Sequence, residues 1–144
     1  MDFLGFKKLM VARRKNLPVT VHNVVRDVAK TYLITVADLT PVDTGAAVSN
    51  WQAGINNSPK SVLPPHAPGR FRSTAIENLN ATIRAGLSVI DSSKPGDVIH
   101  LVNNIKYIAD LDAGSSRQAP SGMTALARVV ANRVPAKAQV VDPK

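Results

Sequence analysis

Residues 18–39 followed at once by Thr40-Pro41-Val42-Asp43-Thr44-Gly45 constrain this chain more than any other stretch. Apolar residues fall at Val21, Val25, Val28, Tyr32, Val36 and Leu39, with Val24, Ala29 and Leu33 beside them. Steps of three and four put such residues on one face of an α-helix. Thr20 stands where an N-cap is useful, and Pro18 where a helix start tolerates proline. Many of these residues are β-branched, so packing must supply what helix propensity does not. The stop is equally definite. Pro41 cannot extend the helix, and it restricts Thr40 before it. Asp43-Thr44-Gly45 predicts a turn in which the Asp side chain bonds backbone amides and Gly45 takes a positive φ. Beyond it, Ala47, Ser49, Trp51 and Ala53 alternate with Val48, Asn50, Gln52 and Gly54, a period of two that predicts a strand. The expected unit is a helix-to-strand corner built from Thr40, Pro41, Asp43, Thr44, Gly45 and the single tryptophan, Trp51.

The 144 residues suit one domain able to bury a core. Apolar residues make up 44% and charged residues 19%, which excludes wholesale disorder. Aromatic residues are 4%, so Val, Leu, Ile and Ala must fill the interior. The absence of cysteine excludes disulfides, thiolate metal sites and a cysteine nucleophile. A formal charge of +8 fits an acidic partner, protein or nucleic acid, and equally a solvated basic surface. No apolar run approaches the ~18 residues that span a bilayer. The opening MDFLGFKKLMVARRK lacks the order of a secretory signal, so synthesis in the cytoplasm is expected, with no membrane partner.

Residues 1–16 hold Lys7, Lys8, Arg13, Arg14 and Lys15 against one acid. A short amphipathic helix and a mobile arm both fit, with a break at Asn16-Leu17-Pro18. Residues 17–134 form the expected domain, and 135–144 a tail that is a strand or an arm. Residues 56–72 contain four prolines and no periodicity, which predicts an exposed loop. Ser73-Thr74 is expected to cap a helix over 74–86, with Ile76, Leu79, Ala81 and Ile83 inward; 87–90 either finish it or begin an extended segment. A turn at 94–97, a strand at 98–103, a short helix within 104–112 and a polar loop at 113–122 follow. The last helix spans 124–134, with Leu126, Val129, Val130 and Val134 on its apolar side.

Little here points to catalysis. His22, His66 and His100 have no metal-type spacing. Asp110 and Asp112 flank Leu111 and, on a helix, point in different directions; solvation or pairing with Lys106 or Arg117 accounts for them. Neither a nucleophile elbow nor a phosphate loop occurs. Arg70 and Arg72 bracket Phe71, a pattern suited to phosphate contact with stacking, but no sequence-reading motif accompanies it. No catalytic residue, cofactor or metal site is expected.

Thr40-Pro41-Val42-Asp43-Thr44-Gly45 with Asn50-Trp51, taken with the segment 104–123 (NIKYIADLDAGSSRQAPSGM), resembles the neck and minor-tail proteins of tailed bacteriophages, the tail-completion or head–tail joining family. The resemblance covers roughly residues 17–134. Ala46 stands where a basic residue is usual, Asp112 where Glu is usual, and the 56–72 loop is long for the pattern. The resemblance implies an α+β fold: a long N-terminal helix on a small, mainly antiparallel sheet, closed by a C-terminal helix. It implies that Tyr107 anchors its helix on the sheet, that Trp51 fills the core, and that the loop 114–122 contacts neighbours. In function it implies a structural virion protein, a homo-oligomeric ring of six or twelve copies joining the head connector to the tail. A tail-terminator, sheath or baseplate ring is an alternative, and a non-specific nucleic-acid-binding protein is another. Expected partners are further copies, other neck and tail proteins, and genomic DNA in the lumen. Expected locations are the virion and, during assembly, the host cytoplasm. The candidate contact residues are Lys7, Lys8, Arg13, Arg14, Lys15, Lys60, Arg70, Phe71, Arg72, Ser115, Ser116, Arg117 and Gln118.

Overall fold

A helix of 37 residues, α1 (Phe3–Leu39), is the axis on which the rest is assembled. The computed structural model describes residues 3–135, apart from the side chains of Phe3, Phe6, Arg13 and Asn16; the tail expected beyond Pro135 lies outside the described residues. After α1 come α2 (Ala46–Ser49), β1 (Trp51–Ile55), α3 (Ala75–Asp91), β2 (Ile99–Asn103), α4 (Ile108–Asp112) and α5 (Thr124–Ala131). β1 and β2 pair antiparallel, Trp51 opposite Asn103 and Ile55 opposite Ile99. α1 packs against α3 and α5, and α3 packs on β1. This is the expected α+β arrangement.

The break expected at Asn16-Leu17-Pro18 does not occur; α1 runs through Pro18. Proline removes one N–H from the helix ladder, at about 3 kcal/mol in a helix interior. Strong helix formers on its N-terminal side (Lys7, Lys8, Leu9, Met10, Ala12, Arg14, Lys15) set against that loss.

The buried face of α1 is also rotated from the one its valines predict. His22, Ala29, Leu33, Val36 and Ala37 are buried, whereas Val21 and Val25 are exposed and Tyr32 and Leu39 sit at the core's margin. Small residues explain the choice. Ala29 and Ala37 on α1, Gly86 on α3, and Ala127 and Ala131 on α5 are all buried, so the helices approach closely. A Cβ on Gly86 would stand 2.2 Å from Leu33 Cδ2. Two other apolar faces turn out differently for the same reason: Ile76, Leu126 and Val129 point to solvent, while α3 buries Asn78, Thr82, Gly86 and Ile90. Leu33, Ile90 and Met123 are the largest fully buried apolar side chains, each contributing about 1.5–3 kcal/mol by burial.

Several boundaries differ as well, among them that of the last helix, expected over 124–134 and ending at Ala131. Of the two readings left open for 87–90, the helical one holds, and α3 runs on to Asp91, five residues past 86. The expected helix within 104–112 starts only at Ile108. The strand expected from Ala47 is preceded by one helical turn, α2, which begins at Gly45 with φ +84°. Ala47, Val48, Ser49 and Asn50 are all buried, so no solvent face exists for the alternation to report.

Candidate interaction surface

The corner is held by side chains from distant parts of the chain. Thr40 Oγ1 donates to the Val36 carbonyl at 2.6 Å and accepts from Trp51 Nε1 at 2.8 Å, both in the interior. Trp51 thus fills the core beside the corner and also ties the end of α1 to the start of β1. Val42 is clamped by Gln118, whose Oε1 accepts from Val42 N and whose Nε2 donates to Val42 O, each at 3.1 Å. Asp43 does not close its own turn as expected. Its Oδ1 accepts from Phe71 N at 2.8 Å and its carbonyl accepts from Arg72 N at 3.1 Å. Thr44 Oγ1 takes the local role, accepting from Ala46 N at 3.4 Å.

The proline-rich loop is fixed by amide side chains in place of a backbone ladder. Proline lacks the N–H that a third strand needs. Asn50 bonds both N and O of Leu63, Gln52 Nε2 donates to Ser61 O, and Asn104 Nδ2 donates to Pro59 O. Asn78, fully buried, bonds both N and O of Ala67 and accepts from Ser49 Oγ. Among the described residues no buried side-chain polar atom lacks a partner. This buried polar seam was missed by reading from periodicity. The run Ser49-Asn50 and an asparagine, Asn78, in the helix pattern of 74–86 were the available signal.

The loop delivers Arg70-Phe71-Arg72 to the surface. Phe71 is 91% exposed, and Phe71 and Arg72 have φ of +54° and +66°. Consecutive non-glycine residues in the left-handed region are strained and persist only where neighbours over-determine them. The two Asp43 bonds do so, together with Ser73, whose N donates to Arg70 O at 3.0 Å and whose Oγ accepts from Arg70 N.

The segment 107–123 also packs against the corner. Asp112 Oδ1 accepts from Met123 N and Thr124 N, and Oδ2 from Thr124 Oγ1 at 2.6 Å, which caps α5. Burial pushes the Asp112 carboxyl up, but the Thr124 and Met123 bonds with the nearby Arg128 charge outweigh it, and the group titrates below the usual carboxylate range. Solvation or pairing with Lys106 or Arg117 therefore does not describe Asp112. Gly122 (φ +74°) brings the backbone against Asp112, where a Cβ would lie 2.0 Å from the Asp112 carbonyl oxygen. Ala119 and Met123 enter the core. Tyr107 is not buried on the sheet: it is 43% exposed and lines a hollow of about 330 Å³ against Val42, Asp43 and Leu111. Its hydroxyl titrates above its ordinary value because of burial, with the Asp43 charge adding to the effect.

The candidate contact residues fall into separate groups. Lys7, Lys8, Arg14 and Lys15 are exposed on the first half of α1; the Arg13 side chain lies outside the described residues. Lys15 precedes Leu39 by 24 residues, or roughly 36 Å of helix. Arg70, Phe71 and Arg72 sit by the corner at the far end of that helix, while Lys60 is exposed elsewhere on the loop. Ser115, Ser116, Arg117 and Gln118 belong to the loop after α4, and Gln118 is already engaged with Val42. Among the described residues no group of His, Asp and Glu is arranged to hold a metal ion, and no helix is long and apolar enough to cross a membrane. No family model, curated protein or solved structure matches the chain.

Proposed function

We propose that this chain is an architectural subunit of a tailed-phage particle, a ring-forming neck or tail-completion component that joins head connector and tail. One observation carries the reading beside the motif resemblance. No described side chain between 4 and 19 is buried, and Leu4, Met10, Val11, Leu17 and Val19 are exposed there among Lys7, Lys8, Arg14 and Lys15. About 24 Å of helix thus offers an apolar and basic surface that the described residues do not cover. Contiguous exposed apolar surface marks an interaction site. A ring closes through heterologous contacts, and a helix extending from a body held by buried side chains provides one such contact.

The test is antibody labelling of this protein on intact purified particles, imaged by electron microscopy. Label at the head–tail junction is the expected result; absence of the protein from purified particles overturns the reading. Replacing Lys7, Lys8, Arg13, Arg14 and Lys15 with Ser is expected to spare the fold and reduce particle yield. The same cations support a second reading, non-specific nucleic-acid binding. That reading requires tight DNA binding by the isolated chain, falling steeply with salt.

A further inference from the structure

We propose that Arg70-Phe71-Arg72 is a docking finger that seats in the groove between the corner and α4 of a second copy of this chain, pairing two copies about a two-fold axis. The contact is separate from the ring contacts above, which need a heterologous surface, and it does not rest on the phage reading.

The finger is built to be presented. Its ring is almost wholly in water, on a backbone strained at two successive residues and pinned by Asp43. Holding a phenylalanine this way carries backbone strain, with no burial of the ring against the described residues to offset it. Neither the Arg70 nor the Arg72 guanidinium makes a hydrogen bond or ion pair among the described residues. An aromatic between two unpaired cations gains burial and charge neutralisation together when it meets an apolar floor with carboxylates.

The same chain carries that counterpart. Two adjoining hollows, of about 330 and 550 Å³, share Tyr107 and Leu111. Asp43 with Val42 borders one, and Asp110 with Ser115 borders the other. Among the described residues the Asp110 carboxylate makes no hydrogen bond or ion pair, and Asp43 has one oxygen uncommitted. The groove therefore offers an apolar floor between two acids, the inverse of a phenylalanine between two arginines. The nearby cations Lys106 and Arg117 do not line it.

The occupant follows from this complementarity and from placement. Asp43 lines the groove and also holds the finger's backbone, so finger and groove adjoin at that residue. Adjoining patches meet reciprocally under a two-fold operator, each finger entering the other copy's groove. A nucleic acid would use the cations and the ring but leave the groove's carboxylates facing phosphate.

The test is sedimentation of the full chain over a wide concentration range. The wild-type mass is expected to rise toward two chains. Phe71→Asn, which keeps a residue tolerant of the left-handed backbone, and Leu111→Lys are each expected to weaken pairing by about tenfold or more with unchanged far-ultraviolet circular dichroism. Arg72→Glu and Asp110→Arg are each expected to be monomeric alone. Mixed in equal amounts they are expected to form a two-chain species, because both contacts in the mixed pair are complementary. A wild type that stays monomeric, dimers indifferent to these substitutions, or a mixture that fails to pair overturns the proposal. So does a Phe71→Asn variant that loses binding to a thymidine oligonucleotide with no change in mass.

Discussion

Replacing Gly45 with alanine separates backbone strain from crowding, because the chain supplies its own control. Gly45 and Gly96 have nearly the same φ, +84° and +91°. A Cβ on Gly96 meets nothing within 4 Å, whereas on Gly45 it would stand 2.2 Å from Asn78 Nδ2 and 2.6 Å from Asn78 Cγ. Gly96→Ala thus bears only the left-handed penalty, about 1–2 kcal/mol, reduced by about 0.4–1 kcal/mol because alanine restricts the unfolded chain. Gly45→Ala bears the same and must also move Asn78. That side chain is fully buried and bonds Ser49, Ala67 and Thr74. Losing two of those bonds adds about 1–3 kcal/mol. The expected totals are about 1 kcal/mol for Gly96→Ala and about 2–4 kcal/mol for Gly45→Ala. Urea unfolding with a common slope reads both, and a chain of this size should lose about 2–4 °C of melting temperature per kcal/mol. Equal destabilisation of the two variants would refute the claim that Asn78 crowds the corner.

Two further outcomes follow from the same contacts. Asp112 titrates below its ordinary value when folded, so its contribution is complete above the unfolded value near ~3.9 and is lost as pH falls through the folded one. Asp112→Asn is therefore expected to destabilise by about 1–2 kcal/mol at neutral pH, as loss of a cap does, and to flatten the acid limb of a stability-versus-pH curve; an unchanged limb would refute the capping role. Pro18→Ala restores one helix bond in a segment where none of the described side chains is buried. It is expected to slow amide exchange around residues 14–22 while leaving the global melting temperature unchanged, and a large rise in that temperature would show that this half of α1 belongs to the cooperative core.

Much of the backbone was legible from local chemistry. The helix preceding the corner, the positive φ at Gly45, the turn at 94–97, the strand at 98–103 and the last helix all follow from periodicity and turn residues, which act over a few neighbours. Which face of each helix is buried was not legible. Apolar periodicity marks Val21, Val25, Ile76, Leu126 and Val129, all of them exposed, because the stripe that goes inside is chosen by how closely another helix can approach, and Ala29, Ala127 and Gly86 permit the closer approach.

By itself the amino-acid order determined that a long helix ends at residue 40 in a proline–glycine corner, and that a cysteine-free, aliphatic core follows in an α+β chain. Tertiary structure alone decided that Asn78 and Asn50 hold the proline loop, that Asp43 reaches 28 residues along the chain to hold Phe71, and that Phe71 stands beside the groove of Tyr107 and Leu111. The reason is range. Turn and helix signals are written in residues that are neighbours along the chain, whereas a polar side chain finds its partner, and a surface finds its shape, only when packing brings distant segments together.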